Sequence, residues 1–370
     1  MDYGVAEPDA EYWDRYGNPQ RVKHDLIRHY LNGWLPKLIL GGARRVVYFD
    51  THAGRGRHRH GQLGSPLVAL TTLLDHSCRE RLLEHSEVRF IFIEENEDNL
   101  RELKEELGAQ GALPRNIHVQ MACRDCFKLL EGVVSSLKGG QRLAPSFVFC
   151  DPYGFSIPGA TLRRLMGFPR VELFVNVMWR EIDMAIKQRA KPGMAKRLDT
   201  LFDGPEWRQA IVSPDHDERA EQCVQLLRRQ TGAKWPTYIR MLGKNDVTRN
   251  FLLHLTNHDA GRELMKECMW KACPDGGYYA RKTDNPRQQY LITPQPDLEP
   301  LRRWVEARLS EKPRRWQDLV DEVRAQIWLA KHVNKVVKNM YYKEGAIIAE
   351  DYQGRFANKN NPQLRLTRRQ

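Results

Sequence analysis

The sequence predicts an α/β protein whose central sheet is mostly parallel, and two observations support this prediction. Five short apolar runs alternate with amphipathic helical stretches, which is the pattern of successive βαβ units. Two further apolar runs, at 237–242 and 251–256, are joined by a short polar turn, so the last pair of strands should be antiparallel.

The remaining elements follow in chain order. An amphipathic helix at 23–40, with a break near Pro36, precedes the first strand. Ser65 and Pro66 are typical of an N-cap and a first-turn proline, and they predict a helix through Leu74. The parallel strands are expected at 46–49, 88–93, 117–121, 146–150 and 171–177, with helices at 97–107 and 126–137. Five parallel strands that end in an antiparallel pair have the Rossmann-like sheet order of class I methyltransferases.

We divide the chain into a flexible arm, a methyltransferase-like domain, a linker and a basic winged-helix-like domain. The bounds are 1–20, 21–293 with a helical insertion at about 180–235, 294–312 and 313–370. Helices at 316–327 and 330–342 and a strand from Gly345 are typical of a winged helix, whose second helix would carry Lys331 and Lys335 into a DNA major groove. A small protein-docking domain is the alternative for this last segment.

Composition narrows the class of protein. The 370 residues contain no run of about 18 apolar residues, so no membrane span is expected. The N-terminal stretch has no apolar h-region, and the seven cysteines are scattered and odd in number. These features are typical of free thiols in a reducing compartment and predict a cytoplasmic protein.

The net charge of +12 is concentrated near the C-terminus. Residues 301–370 hold 16 Lys and Arg against 8 Asp and Glu, which places +8 of the charge there. Such a local basic excess is typical of a nucleic-acid-binding protein, and solubility charge on an exposed domain is the alternative.

A glycine-bearing turn after the first strand predicts a cofactor site. Its glycines let the backbone turn sharply and approach a ligand closely, and an acidic residue at the strand end accepts hydrogen bonds from cationic or hydroxylated ligands. An ordinary turn is the alternative for so short a string. The residues expected at the cofactor are Asp50, Thr51, Ala53, Gly54 and Gly56.

Acidic residues after the next two strands extend this site. Glu94 is expected to accept the ribose hydroxyls of the cofactor, and Asp125 is expected to accept from the adenine amino group. The reason is that the carboxyl ends of consecutive parallel strands converge on the ligand crevice of an open α/β sheet. A helix cap is the alternative role of each residue.

The fourth strand ends in Asp151-Pro152-Tyr153-Gly154, which resembles a tetrapeptide of amino-directed nucleic-acid methyltransferases. An exocyclic amine is a poor nucleophile until acceptors for its hydrogens localise its lone pair. Asp151 and the Pro152 carbonyl are the expected acceptors, and Tyr153, with Trp179 as a second candidate, is expected to stack on a flipped base. Tyr153 stands where a second proline is usual, and a structural turn is its alternative role.

The loop between these two sites is densely basic. Arg55 and Arg57 are expected to hold phosphates by charge neutralisation. The histidines at 52, 58 and 60 predict no metal site, because alternate positions in a loop lack the further ligands and the spacing of zinc sites.

These motifs together resemble the three-Cys-motif partner (TcmP) family of bacterial proteins. The matching segments are Lys23…Tyr30-Leu31…Trp34, Tyr48-Phe49-Asp50…Ala53-Gly54…Gly56, Gly61…Gly64-Ser65-Pro66-Leu67, Phe92-Ile93-Glu94…Asn99, Asp151-Pro152-Tyr153-Gly154 and Thr256-Asn257-His258…Gly261…Met265. The family is similar to class I methyltransferases, and its name refers to a genomic neighbour that resembles radical-SAM proteins. The resemblance implies a cofactor site around Asp50 and Glu94 and an acceptor site at Asp151. His52 and Arg55 depart from the family pattern and make the turn more basic.

The sequence therefore predicts an enzyme that transfers the methyl group of S-adenosylmethionine to nucleic acid, at a base nitrogen of DNA or RNA. The alternative is a partner subunit that retains the fold and binds nucleic acid without turnover, beside a radical-SAM-like modification enzyme.

Overall fold

The computed structural model describes residues 16–137, 142–152, 154–243, 245–274, 278–284 and 295–367. They form two units. The first lies within Met1–Cys268 and Tyr279–Gln289, and the second lies within Met269–Tyr278 and Tyr290–Gln370. None of the helices in these described ranges combines the length and the apolarity needed to cross a membrane.

The first unit is built on one eight-stranded sheet. Its strands are β1 (Arg45–Asp50), β2 (Glu87–Glu94), β3 (Ile117–Cys123), β4 (Ser146–Cys150), β5 (Val171–Val177), β6 (Trp235–Leu242), β7 (Thr248–Thr256) and β8 (Tyr279–Arg281). They lie in the order β3-β2-β1-β4-β5-β7-β6-β8. The first five strands are parallel, and β7 is antiparallel to both β5 and β6. This confirms the Rossmann-like sheet of class I methyltransferases, to which β8 adds a short edge strand parallel to β6.

Helices cover both faces of this sheet. They are α1 (Asn18–Ile39), α2 (Ser65–Leu74), α3 (Arg79–Leu83), α4 (Glu97–Gly108), α5 (Cys126–Ser136), α6 (Gly159–Met166), α7 (Trp179–Lys187), α8 (Pro192–Leu201), α9 (Trp207–Ala210), α10 (His216–Thr231) and α11 (Asp259–Ala272). Every residue of β4 and β5 is buried as a result, which explains why those strands are mostly apolar, with Ser146, Glu172 and Asn176 as their polar residues. Four helices, α7 to α10, stand between β5 and β6, where the insertion was predicted.

Three predicted details of the helices are wrong. Helix α1 continues through Pro36 without a break, because a proline in the last turn of a helix with a buried apolar face removes only one hydrogen bond. The same helix begins at Asn18, so the predicted arm at 1–20 extends too far. Helix α2 begins at Ser65 itself, and Gly64 rather than Ser65 is its N-cap.

Within its described residues, the second unit contains three further α-helices, a π-helical turn at Asn339–Lys343 and a small sheet. The α-helices and strands are α12 (Glu299–Glu311), β9 (Arg314–Arg315), α13 (Trp316–Val323), α14 (Ala330–Lys338), β10 (Ile347–Glu350) and β11 (Gln363–Leu366). The strands are antiparallel in the order β10-β11-β9. The linker predicted at 294–312 is wrong over α12, because Pro300 occupies the first turn of a helix, where no backbone donor is needed.

Candidate active site

The carboxyl ends of β1, β2 and β4 lie side by side and gather the predicted acidic residues. Asp50 pairs in register with Phe92 of β2 and with Phe149 of β4, so Glu94 and Asp151 each follow two residues beyond it. The turn after β1 is fixed between its two neighbours: the Thr51 amide donates to the Phe149 carbonyl at 3.0 Å, and the Ala53 amide donates to the Ile93 carbonyl at 2.9 Å.

Glu94 is oriented by backbone amides. The Gly54 amide donates to Glu94 Oε2 at 2.7 Å, and the Asn96 amide donates to Oε1 at 3.0 Å. Gly54 has a φ of +62°, a conformation that residues with a Cβ rarely adopt. Asn99 Nδ2 also donates to Oε1, at 3.5 Å. Oε2 accepts one bond among the described contacts and keeps a further lone pair, so the held carboxylate can still accept from a hydroxyl of a ligand.

Gly56 serves the packing of the turn on helix α4. Its φ is +83°, and a Cβ at this position would lie 2.7 Å from Leu103 Cδ1. The Gly56 carbonyl accepts from the Gly64 amide at 2.7 Å, and a Cβ on Gly64 would lie 2.9 Å from that carbonyl oxygen. The described contacts of Gly56 therefore explain this glycine without a ligand, which differs from the close approach expected from the sequence.

Asp50 is a buried carboxyl group whose hydrogen bonds to Tyr48 and His52 are both long. Its side chain is fully buried, and the Tyr48 hydroxyl and the His52 amide each donate to it at 3.4 Å. Burial raises the pKa of Asp50 to about 7; the Asp151 charge adds to this rise, and a hydrogen bond to Ser65 opposes it. A cation beside this group would favour its ionised form.

Asp151 is ionised in spite of its burial. Its Oδ2 forms an ion pair with the ammonium of Lys23 on α1, and its Oδ1 accepts from Asn176 Nδ2 at 2.7 Å. Burial alone would raise the pKa of Asp151, but the Lys23 charge and the two hydrogen bonds outweigh it and hold the pKa below its usual value. Pro152 is buried beside it. Tyr153 lies outside the described residues, and its stacking role stays a prediction.

A cleft of about 400 Å³ opens beside Asp151. This volume falls in the range of small-molecule and nucleobase sites. Among its lining residues are Lys23, Asp151, Asn176, Glu181, Arg249 and Asn250. Asp151 thus lines the cleft, and its negative charge also raises the pKa of buried Asp50 in the glycine turn.

The side chains of Thr51 and His52 complete the turn. Thr51 Oγ1 lies 2.8 Å from His52 Nδ1, and His52 Nε2 lies 3.7 Å from Cys126 Sγ. Burial lowers the pKa of His52 to about 4. The imidazole is therefore uncharged at neutral pH and adds no positive charge to the loop.

Asp125 acts as a helix cap in the structure. Its Oδ1 accepts from the amides of Phe127 and Lys128 at 2.9 and 3.0 Å, at the start of α5. Asp125 Oδ1 therefore has the role of a helix cap, which was the alternative role that the sequence suggested for this residue. The contact with adenine stays a prediction for the remaining oxygen, Oδ2, which lies 3.5 Å from Lys128 Nζ.

The two loop arginines point to α4 instead of to an open site. Arg55 Nε donates to Asn99 Oδ1 at 2.8 Å, and Arg57 Nε donates to Glu106 Oε2 at 2.8 Å. A phosphate contact by either arginine would have to compete with these bonds, which fasten the loop to the helix.

Trp179 does not have the position expected of a base-stacking residue. Its side chain is fully buried in the core beside β5, and its Nε1 donates to His216 Nε2 at 3.0 Å. An aromatic residue directly after a strand was the signal for the prediction, but the ring turns into the core because the helices after β5 cover it. We withdraw Trp179 as a stacking candidate.

The two lysines predicted to contact nucleic acid lie in the second unit. Lys331 and Lys335 are exposed on α14, while Val333, Val336 and Val337 of the same helix are buried. The helix is amphipathic, so its cationic face is available to a ligand.

The sequence analysis missed Lys23, Asn176, Glu181 and Asn250 as cleft residues. One signal was present: Asn176 is, with Glu172, one of two polar residues in the buried strand β5, and a buried amide needs a partner. Lys23 begins the first segment that resembles TcmP proteins, but nothing local joins it to Asp151, which lies 128 positions further along the chain. Glu181 and Asn250 had no such signal.

Known structures resemble this chain only weakly. No protein-family model and no curated protein matches it. Human methyltransferase-like protein 13 in complex with SAH aligns over 74% of this chain and 97% of its own, at 10% identity and a TM-score of 0.35. The methyltransferase domain of bacterial CtHen1 aligns over 62% and 99%, at 12% identity and a TM-score of 0.31. A SAM-dependent methyltransferase from Agrobacterium tumefaciens aligns over 63% and 62%, at 11% identity and a TM-score of 0.33. The fold assignment therefore rests on the strand order of this chain, and the resemblance to TcmP proteins stays a prediction.

Proposed function

We propose that this protein is an S-adenosylmethionine-dependent methyltransferase that modifies a nitrogen of a nucleic-acid base. The observation that carries the proposal is that two carboxyl groups with opposite pKa shifts lie at the same edge of the sheet. Asp50 is buried with a pKa of about 7, and Asp151 is held ionised by Lys23 at the border of a cleft. Asp50 suits a cationic cofactor, and Asp151 suits a methyl acceptor whose N–H groups donate hydrogen bonds.

The donor and acceptor chemistry of the glycine turn fits S-adenosylmethionine. Glu94, held by the amides of Gly54 and Asn96, offers acceptors for the two ribose hydroxyls. Asp50 offers a buried carboxyl that a sulfonium or ammonium group would stabilise in the ionised form. We assign Thr51 and Ala53 to the walls of the same site and Asp125 to the adenine end.

Asp151 acts on the methyl acceptor. When bound, S-adenosylmethionine supplies a methyl group whose bond to sulfur breaks, with the electron pair staying on sulfur, as the bond to nitrogen forms. The ionised Asp151 accepts a hydrogen bond from the attacking amine, orients its lone pair, and takes up the proton that the nitrogen releases. The Pro152 carbonyl and Tyr153 are assigned the second acceptor and the stacking platform.

The second unit supports a nucleic-acid substrate. Its order of helix, strand, two helices and two strands supports the predicted winged helix, and its helix α14 exposes Lys331 and Lys335. The net charge of +8 over residues 301–370 would attract a phosphate backbone.

Labelled cofactor tests this function directly. The full chain is incubated with labelled S-adenosylmethionine and separate pools of DNA and RNA, and the label is traced to base or ribose after digestion. We expect label on a base, and we expect Asp50→Ala and Glu94→Ala to weaken cofactor binding measured by calorimetry. Tight cofactor binding without label transfer to either pool would exclude the proposal.

One observation favours a second function. Both oxygens of Asp151 already bond to protein groups, Lys23 and Asn176, so a substrate must share them. A subunit that binds nucleic acid without turnover, beside a radical-SAM-like three-Cys-motif protein, would leave this pairing undisturbed. That function predicts nucleic-acid binding with no label transfer until the partner is added.

A further inference from the structure

We infer that Asn250 and Glu181 form the recognition subsite of the cleft and select a methyl acceptor that carries N–H donors. This inference rests on the proposed function, because it specifies which acceptor the cleft beside Asp151 takes. It follows from the direction of one hydrogen-bonded chain and from one buried oxygen, and both border the same cleft.

The chain of hydrogen bonds has only one direction. The Lys23 ammonium can only donate, and ionised Asp151 can only accept. Asn176 must therefore turn its Nδ2 toward Asp151, which it does at 2.7 Å, and its Oδ1 faces the other way. That oxygen accepts from Asn250 Nδ2 at 2.7 Å. Flipping either amide would set oxygen against oxygen, so the network itself assigns both orientations.

The end of this chain is an acceptor. With Nδ2 of Asn250 committed to Asn176, its Oδ1 remains, and within the described residues no group donates to it. Asn250 lines the cleft, on β7 next to β5. The ammonium of Lys23 thus fixes, through two intervening side chains, an amide oxygen at the cleft wall.

Glu181 is a second acceptor residue in the lining of the same cleft. It lies in the first turn of α7, and its Oε2 is shielded from solvent with no hydrogen-bond partner in the part of the chain that the structure describes. A buried acceptor without a donor is unfavourable, so a rotation of this carboxylate toward a bound donor in the cleft would be favoured.

The chemistry of this wall discriminates between acceptor groups. Three residues of the lining bring acceptors that require donors: Asn250, Glu181 and Asp151. The cations Arg249 and Lys282 also line the cleft. An exocyclic amine brings two N–H donors, but a ribose hydroxyl brings one and an unsubstituted ring carbon brings none. The wall therefore favours an amino-bearing base over the 2′-hydroxyl or a base without an amine.

Nucleosides that differ only in the amine test this inference. Adenosine is compared with purine riboside, guanosine with inosine, and cytidine with its analogue lacking the 4-amino group, using ligand-observed NMR on the full chain. In at least one pair we expect the amino-bearing member to bind roughly 10-fold more tightly, as in sites built to bond a substrate donor. Asn250→Ala and Glu181→Ala should each reduce that ratio to about 3 or less.

Matched variants separate recognition from folding. Asn245→Ala and Glu206→Ala replace exposed residues of the same types in the same unit and should leave the ratio unchanged. Melting curves of all four variants show whether the fold is kept, and a ratio within one variant does not depend on the folded fraction.

The outcomes distinguish this inference from the proposed function. No discrimination in any pair, or discrimination that survives in both Asn250→Ala and Glu181→Ala, would overturn the subsite even if label transfer succeeds. Discrimination that depends on both residues supports the subsite, and a failure of label transfer would then count against catalysis alone.

Discussion

The Tyr30 hydroxyl donates a hydrogen bond of 2.5 Å to the carboxylate of Glu172, which joins helix α1 to strand β5 inside the core. Trp34 Nε1 donates to the same carboxylate at 3.0 Å, and His254 Nε2 of β7 lies 2.8 Å from it. Tyr30 follows Lys23 by seven residues, so both side chains extend from one face of α1. The buried carboxylate therefore fixes the helix that brings Lys23 to Asp151.

Removing the Tyr30 hydroxyl should destabilise the protein. Tyr30→Phe leaves the buried Glu172 carboxylate with one donor fewer, and we expect a loss of about 1–3 kcal/mol in the free energy of unfolding. Denaturant titration measures it. In a double-mutant cycle with Glu172→Gln, the two losses should not add; strict additivity would show that the two residues are not coupled.

The glycine turn should tolerate a methyl group at one position and not at another. Gly56 and Gly61 have φ values of +83° and +86°. A Cβ would meet Leu103 Cδ1 at Gly56, whereas no atom of the described residues lies within 4 Å of a Cβ on Gly61. Gly61→Ala should cost about 1 kcal/mol from the backbone alone, and Gly56→Ala about 1–3 kcal/mol more. Thermal unfolding measures both, and Leu103→Ala should recover part of the difference. Equal losses at the two glycines would contradict the steric account.

Cofactor affinity should depend on the ionisation of Asp50. Below its pKa of about 7 the carboxyl is protonated and must lose a proton when a cation binds. Affinity should therefore rise with pH, by up to about tenfold per unit, and level off above about pH 7. Asp50→Asn should bind more weakly with a flat profile, whereas Asp75→Asn, at an exposed position, should keep the wild-type slope. Calorimetry across that pH range measures the affinity, and a wild-type profile without a slope would refute the role of Asp50.

The same titration has a consequence for stability. The pKa of Asp50 is raised from 3.8 in folding, so ionising the buried group costs free energy that accumulates between the unfolded value and about pH 7. Without cofactor, Asp50→Asn should therefore be more stable than the wild type above about pH 7, and the gain should shrink toward about pH 4. Denaturant titrations at the two ends of this range decide it.

Replacing Lys23 should shift the acidic limb of the pH profile of kcat to higher pH. In Lys23→Met the burial of Asp151 is no longer outweighed, so its pKa rises and the acidic limb of the kcat profile should move up by at least about 1 pH unit. Lys23→Arg should restore most of the wild-type profile. Lys282→Met removes an exposed lysine from the same cleft and should leave the limb in place. An unchanged limb in Lys23→Met would show that Asp151 does not titrate in turnover.

The lysines of α14 should contribute to the salt dependence of nucleic-acid binding. Lys331→Ala and Lys335→Ala should each reduce the slope of log K against log salt by about 1, because each phosphate contact releases a counterion. Lys312→Ala, exposed elsewhere in the second unit, serves as the control. Filter binding or fluorescence polarisation over a salt series measures the slope, and equal slopes in all four proteins would separate α14 from binding.

The sheet was predictable because burial and pairing leave local marks in the sequence. The bounds of β4 and β5 match the prediction, since strands covered on both faces are mostly apolar and stand out from the polar segments around them. Strand β8 was missed because three residues carry no periodicity. Helix α12 was missed because its first-turn proline was interpreted as part of a linker.

The proposed cofactor half of the site could be predicted from the sequence, but the cleft half could not. That Asp50 and Glu94 lie together follows from parallel strands whose ends meet at one edge, so sequence order was enough. Lys23 and Asn250 depend on which helix face and which antiparallel neighbour reach Asp151, and side-chain packing decides that. Trp179 failed for the same reason, since the chain after a strand end turns either into the cleft or into the core.

The cleft wall is assembled from distant parts of the first unit. Asn18 Nδ2, at the start of α1, donates to the carbonyl of Arg281 in β8 at 3.0 Å, and both Gly17 and Lys282 line the cleft. During translation, a ribosome that has not yet passed Lys282 holds a nascent chain with one side of the substrate pocket missing. The wall of the cleft is therefore completed only after all five parallel strands have been synthesised.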